Sequence, residues 1–177
     1  MKSLDVLTWL FPILFMFQDF EEIIMINPWK KRYEKYINEM KGKSKYTPYP
    51  FNGTTAAFSI AVFLEFIFIT VVCAFSYIYN NYIIWLGLFI GFVLHLFGHI
   101  FLSIKFKKYV PGITTSLILI PICILLLKQS KIFSLLCFKS ILVSIVISSI
   151  IILCALYLLH KLVKRFDLWL ISYSKNI

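Results

Sequence analysis

The sequence has 177 residues, of which 60% are apolar, and its mean hydropathy is +0.87. Soluble globular domains are closer to half apolar, so this composition excludes that class and predicts an all-α, polytopic membrane protein. The net charge of +10 does not indicate nucleic-acid binding, because the basic residues lie between apolar segments, where they fix orientation and meet anionic head groups. We therefore expect no nucleic-acid partner.

Five apolar segments meet the criterion of about 20 mostly apolar residues for a membrane span. They are residues 3–26, 55–77, 82–104, 112–127 and 140–160. The first has a predicted kink at Pro12, and the short link Ile78–Asn81 predicts an antiparallel hairpin of the second and third. Residues 132–138 either extend the fifth span or lie at the interface. The prediction is a single membrane domain, residues 1–177, folded as a bundle of five transmembrane helices.

The distribution of basic residues predicts the orientation. Fourteen of the 18 lysine and arginine residues lie in segments 27–53, 105–111 and 160–177. With five spans these segments share one side of the membrane, which the positive-inside rule makes cytoplasmic. We expect the N-terminus outside, the C-terminus in the cytoplasm, and contact with anionic head groups on the cytoplasmic side. The abundance of Lys over Arg, with much Ile, Phe and Asn, favours an AT-rich bacterial genome. We therefore expect this membrane protein in the plasma membrane of a bacterium.

The polar segment after the first span contains a predicted amphipathic helix, Trp29–Met40, at the membrane interface. One face of this helix carries four large side chains, Trp29, Tyr33, Tyr36 and Ile37. Pro48 and Pro50 are predicted to break the helix before the second span.

The first span contains an unusual group of acids, Asp19, Glu21 and Glu22. Each acid costs about 2.5–3.5 kcal/mol at the centre of a spanning helix and less near its end, so we expect partners on neighbouring helices. Gln18, Glu21 and Glu22 share one helical face at spacings i, i+3 and i+4. Asp19 is turned about 100° from Gln18 and neighbours Glu22.

Candidate partners occur on the next two spans, at Glu65, His95 and His99. Counting about 1.5 Å per residue, we expect Glu21, Glu22 and these three residues to lie roughly 6–15 Å below the cytoplasmic surface. Intramembrane ionisable residues are expensive and usually functional, which favours one shared site over separate structural pairs.

Small residues at four-residue intervals predict close helix contacts. Ala57 and Ala61 lead to Glu65, and Gly87 and Gly91 lead to His95, so we expect the second and third spans to pack along this seam. A third ladder, formed by Ser140, Ser144 and Ser148, is predicted to be a helix-packing face of the fifth span.

Two chemistries fit these residues. Histidines at i and i+4 can bind one metal ion, and nearby carboxylates can complete the coordination of Zn²⁺ or another divalent transition metal. Alternatively, buried Glu and His side chains form a proton relay in a transporter.

Tyr109 precedes Pro111-Gly112, a predicted tight turn, and either its hydroxyl points towards the site or its ring anchors the interface. Thr114 or Thr115 is predicted to cap the following helix.

The motifs resemble those of the HXXEE family of small membrane proteins, named for a His-x-x-Glu-Glu motif in the first span. The resemblance covers most of residues 9–121 and rests on several short motifs. They are Gln18-Asp19-Phe20-Glu21-Glu22, Asn27, Trp29, Glu65, His95-x-x-x-His99 and Tyr109-x-Pro111-Gly112-x-Thr114. The resemblance implies an intramembrane His/Glu site and no particular substrate. This chain has Gln18 where the family has His; either Gln18 orients Glu21 or Glu22, or part of the activity has been lost.

The leading hypothesis is an integral membrane protein that acts as a metal-dependent hydrolase. The assigned ligands are Glu22, Glu65, His95 and His99; Glu21 is the general base, with Gln18 and Tyr109 as supporting catalytic residues. The alternatives are a proton-linked transporter subunit and a non-catalytic accessory or immunity protein that binds a partner helix. A homo-oligomer or a partner membrane protein fits these readings.

Overall fold

The computed structural model describes residues 2–43 and 54–175, and all of its elements are α-helices. In chain order the helices are α1 (Lys2–Arg32), α2 (Glu34–Lys43), α3 (Thr55–Tyr79), α4 (Ile83–Phe106), α5 (Ile113–Ser130), α6 (Ile132–Leu135) and α7 (Phe138–Lys175). The predicted break at Pro48 and Pro50 lies outside the described residues. The helix α1 continues through Pro12.

Within the described part of the chain, four helical stretches are long and apolar enough to cross a membrane. They are Thr55–Tyr79, Ile83–Phe106, Ile113–Leu135 and Phe138–Ser174. The prediction of an all-α fold is confirmed, and the four apolar helices fit a membrane protein. The helix α1 has 31 residues, but its acids and its basic last turn make it less apolar than these four.

Local sequence signals explain where these helices begin and end. Thr54 caps α3 by accepting a hydrogen bond from Ala57 N at 3.2 Å, and Asn80 ends α3 in the left-handed conformation. The link from α3 to α4 is residues 80–82, which is as short as expected for the predicted hairpin. Lys131, also left-handed, separates α5 from α6. Because α7 begins at Phe138, it includes Lys139 and extends the predicted fifth span at both ends.

The bundle places α1 between α3 and α5, and α4 between α5 and α7. Its core contains an aromatic cluster in which Phe11 of α1 meets Trp85, Phe89 and Phe92 of α4, with ring centroids 5.0–6.1 Å apart. Aromatic pairs at these separations add to the stabilisation from apolar burial. The cluster fixes α1 against α4, the two helices that carry the candidate site.

The predicted packing of the second and third spans along the glycine ladder was wrong. A Cβ at Gly87 would overlap the side chain of Ser148 and the carbonyl of Ser144, and a Cβ at Gly91 would meet Ile152. These glycines therefore face α7. Ser144 Oγ donates to Ile83 O at 2.5 Å and Ser148 Oγ to Ile84 O at 3.2 Å, so these two serines of the ladder pack against α4, as predicted for a helix-packing face.

The predicted aromatic face in residues 29–37 packs against the end of α4. Trp29 and Ile37 are buried with Phe106 at the end of α4, and Tyr33 and Tyr36 pack beside them. Part of the predicted interfacial helix belongs to α1, and the rest forms α2. The face is thus a second small core, because Phe106 offers an apolar surface that the sequence pattern alone does not reveal.

Candidate metal centre

Three predicted ligands from two helices meet at one point. Glu22 projects from α1, and His95 and His99 project from successive turns of α4. Glu22 Oε1 lies 2.9 Å from His99 Nε2 and 3.4 Å from His95 Nε2, and the two Nε2 atoms are 2.9 Å apart. One ligand atom from each residue lies within 4.8 Å of the other two, so the group could hold a metal ion. We call these three residues the ligand triad.

The spacing of the ligand triad fits a tetrahedral metal. Zn–N and Zn–O bonds of about 2.0–2.1 Å place tetrahedral ligand atoms roughly 3.3 Å apart, and the observed edges run from 2.9 to 3.4 Å. When no ion is bound, the same distances allow hydrogen bonds between Glu22 and either imidazole.

Burial of the triad is uneven. The side chains of His99 and Glu22 are only 3% and 5% exposed, whereas His95 is 51% exposed. Glu22 and His95 also line a cavity between α1, α3, α4 and α7. An ion held by the triad would therefore be anchored on the buried side and reachable from the cavity, as a catalytic metal requires.

The turn between α4 and α5, residues 107–112, packs against the triad. Gly112 has φ +87°, and a Cβ there would lie 2.6–2.7 Å from Gln18 Nε2 and from the His99 ring. Glycine is thus required both by the backbone conformation and by the close approach of His99. Gln18 Nε2 donates to Gly112 O at 3.0 Å, which ties α1 to this turn. The Nδ1 atom of His99 has no hydrogen-bond partner within the described residues.

Glu21 binds the first turn of α5. Its Oε1 accepts hydrogen bonds from Tyr109 OH at 2.7 Å and Thr114 N at 3.3 Å, and its Oε2 accepts from Thr115 N at 2.7 Å. The Thr115 hydroxyl, 2.7 Å from Oε2 and 2.6 Å from Gln18 Oε1, is shared between them. A carboxylate suits this position because the first N–H groups of a helix lack intrahelical partners.

The predicted capping of α5 by Thr114 or Thr115 was therefore wrong. Gly112 is the N-cap residue and makes no side-chain cap. The backbone N–H groups that a cap would satisfy are instead bound by Glu21, which comes from a different helix. The Thr115 side chain contributes to the same cluster as a donor.

Tyr109 points its hydroxyl at Glu21 and does not belong to the triad. Burial and the hydrogen bond to the Glu21 carboxylate raise the pKa of Tyr109 above its ordinary value, so the hydroxyl stays protonated and donates. The backbone carbonyl of Tyr109 accepts a 2.6 Å hydrogen bond from Trp29 Nε1, which fixes the residue against α1.

Glu65 lies apart from the triad. It lines the cavity together with Glu22, His95 and Asp19. Asp19 was not among the predicted site residues, yet it is 94% buried, and its Oδ2 has no hydrogen-bond partner within the described residues. Its position three residues before Glu22 was the available signal, since that spacing places it on a neighbouring part of the same helix.

The predicted residues therefore form two adjacent groups. The first is the triad of Glu22, His95 and His99, and Glu65 lines the same cavity as Glu22 and His95. The second group contains Gln18, Glu21 and Tyr109 and holds the α4–α5 turn.

Comparison with known proteins identifies the family. The model of a family described as protein of unknown function with HXXEE motif matches residues 9–126, and the chain belongs to that family. The matched region includes the triad, the α4–α5 turn and all the predicted site residues. No curated protein and no solved structure matches the chain.

Proposed function

We propose that this protein is a metal-dependent membrane hydrolase in which Glu22, His95 and His99 hold a divalent transition metal, Zn²⁺ in the first instance. The observation that carries the proposal is the convergence of two imidazole nitrogens and one carboxylate oxygen within 4.8 Å. Two His and one Glu are a ligand set of catalytic zinc sites, which keep a further position for water or substrate.

A divalent ion bound there would polarise a substrate carbonyl or phosphoryl oxygen and lower the pKa of a bound water. The remaining chemistry belongs to the chain. We assign the general base to Glu65, because it lines the same cavity as Glu22 and His95. Glu21 was predicted to be this base, but its two oxygens accept hydrogen bonds from Tyr109 and the first turn of α5. A positioning role suits Glu21 better.

The proposed topology has five crossings. The helix α1 packs along α3 and α5, and its 31 residues are enough to span a bilayer. With α1 as a crossing, the segments that carry most of the Lys and Arg fall on one side, and the positive-inside rule makes that side cytoplasmic. The metal centre would then lie in the inner half of a bacterial plasma membrane, whose anionic head groups would contact the basic segments.

Metal analysis of purified protein tests the proposal. Wild-type protein, loaded with Zn²⁺ and then freed of excess metal, should retain bound zinc by elemental analysis, and the bound ion should raise the unfolding temperature. His99→Ala and His95→Ala should each abolish both effects, because only two ligands remain. His160→Ala changes the third histidine of the chain, which is not one of the triad, and should retain zinc.

Three other results would argue against a metal ion at the triad. Folded wild-type protein that retains no transition metal would contradict the proposal. Stable co-purification of a membrane partner with such metal-free protein would favour a non-catalytic accessory role. Zinc retention that survives both histidine changes would place the metal elsewhere.

A further inference from the structure

The cavity beside the triad is long and lined mostly by apolar side chains, together with a few ionisable side chains. Its volume is about 290 Å³, near the lower end for ligand sites, which suits one hydrocarbon chain. Along α1 its lining runs from Phe11 to Glu22, a length of roughly 16 Å at about 1.5 Å per residue. The aromatic part of the lining is formed by Phe11, Phe15, Phe58, Phe68 and Phe92.

The polar part of the lining is dominated by acids. Asp19, Glu22 and Glu65 contribute carboxyl groups, and His95 is the one basic side chain in the described lining. Three acidic side chains thus face the cavity with one basic side chain, so the described lining favours a cation over an anion.

Asp19 is the residue best placed to receive that cation. Glu22 is engaged with the two histidines, whereas Asp19 lines the cavity and its buried Oδ2 has no hydrogen-bond partner within the described residues. Leaving such an oxygen unpaired is costly, and a protonated amine would supply both a donor and a positive charge.

We infer that the cavity binds a single-chain lipid with one protonated amine in its head group, the ammonium lying against Asp19 and the chain among the phenylalanines. This inference rests on the proposed function, since it names the class of molecule presented to the metal centre. An anionic head group is disfavoured by the acids, and a two-chain lipid by the cavity volume.

The head-group preference can be measured with dodecylamine, dodecanol and dodecanoate as probes. Each is added at the same concentration to zinc-loaded protein in nonionic detergent, and retention is measured by native mass spectrometry. Wild-type protein should retain dodecylamine about tenfold or more over the other two, the gain expected of a charge-assisted hydrogen bond. Asp19→Asn should abolish this preference, and Glu39→Gln on the exposed face of α2 should keep it.

The location of the chain is tested by filling the cavity. Ala61 lines it from α3, and Ala56 is exposed on the same helix. Ala61→Trp should reduce dodecylamine retention at least about tenfold, while Ala56→Trp should not. If Ala61→Trp fails to fold, Ala155→Trp fills the cavity from α7 instead.

The outcomes separate this inference from the proposed function. Wild-type protein that retains zinc but binds the three probes equally would overturn the lipid assignment alone. A cavity-filling variant that folds and still retains dodecylamine at the wild-type level would do the same. Wild-type protein that selects dodecylamine but retains no metal would overturn the proposed function.

Discussion

Replacement of Glu21 by Gln tests whether this carboxylate positions α5. The change keeps the size of the side chain and removes its charge. In the wild type, three donors bind the carboxylate, Tyr109 OH, Thr114 N and Thr115 N, and the Thr115 hydroxyl is shared with Gln18. A Gln side chain has one acceptor oxygen, so its NH₂ group must face at least one of these donors.

The expected loss of stability follows from these contacts. One donor left without an acceptor costs about 1–3 kcal/mol. Loss of the negative charge at the N-terminus of α5 adds about 0.3–1 kcal/mol. Tyr109 can rotate its hydroxyl to accept a hydrogen bond from the new amide. We therefore expect a total loss of stability near the middle of the two summed costs, about 2–3 kcal/mol.

The assay is equilibrium unfolding by SDS in mixed micelles, followed by circular dichroism. Glu39→Gln is the matched control, because Glu39 is exposed on α2, and its effect should stay within about 0.5 kcal/mol. If Glu21→Gln unfolds with the wild-type free energy, the carboxylate does not hold α5, and its assignment as the general base becomes the better explanation.

Three further changes test other parts of the structure. Gly112→Ala should destabilise the fold by about 1–3 kcal/mol and lower zinc retention, because its Cβ overlaps the His99 ring at φ +87°; normal zinc retention would contradict the contact. Gly87→Ala should cost about 1–3 kcal/mol in SDS unfolding through overlap with Ser148, whereas Gly98→Ala, where a Cβ meets open space, should not. Tyr109 has a raised pKa in the folded state, so the stability that its protonated hydroxyl contributes is complete below about pH 10 and is lost as the pH rises further. Between pH 8 and pH 11 the unfolding temperature of the wild type should fall more steeply than that of Tyr109→Phe. Equal falls of the two unfolding temperatures would contradict this.

The sequence predicted the ligand triad because its signals are local and strong. His95 and His99 share a face by their spacing, and intramembrane acids such as Glu22 need partners. The number of residues from each span's cytoplasmic end then predicted that the polar residues of α1 and α4 lie at the same depth in the membrane. Glu65, the predicted ligand that is not in the triad, satisfied the same depth rule, because depth does not distinguish a ligand from another residue that lines the same cavity.

The partners of the small-residue ladders could not be predicted in the same way. A ladder such as Gly87 and Gly91 shows that some backbone approaches closely, but it does not identify the helix. This ladder was predicted to pack against the alanines of α3, whereas the glycines in fact face α7. Hydrogen bonds from Ser144 and Ser148 to the backbone of α4 decide in favour of α7, since they satisfy two serine hydroxyls inside an apolar bundle.

The role of Glu21 was also beyond reach of the sequence, because its partners lie 94 residues away at Thr115. An acid on the polar face of α1 looks the same in sequence whether it binds a metal, accepts a proton or caps another helix. Only the position of the α4–α5 turn separates these roles, and that position depends on Gly112 packing against Gln18 and His99.

The same contacts explain how this chain tolerates Gln18 at the position of the histidine in the motif of its family. Gln18 donates to Gly112 O through Nε2, and its Oε1 lies 2.6 Å from the Thr115 hydroxyl. This position therefore needs one donor and one acceptor, which an amide supplies and which a neutral imidazole would supply as well. Gln18 is not one of the triad ligands. The substitution thus preserves the contacts that hold the α4–α5 turn against His99, and it removes none of the three atoms that would hold the metal.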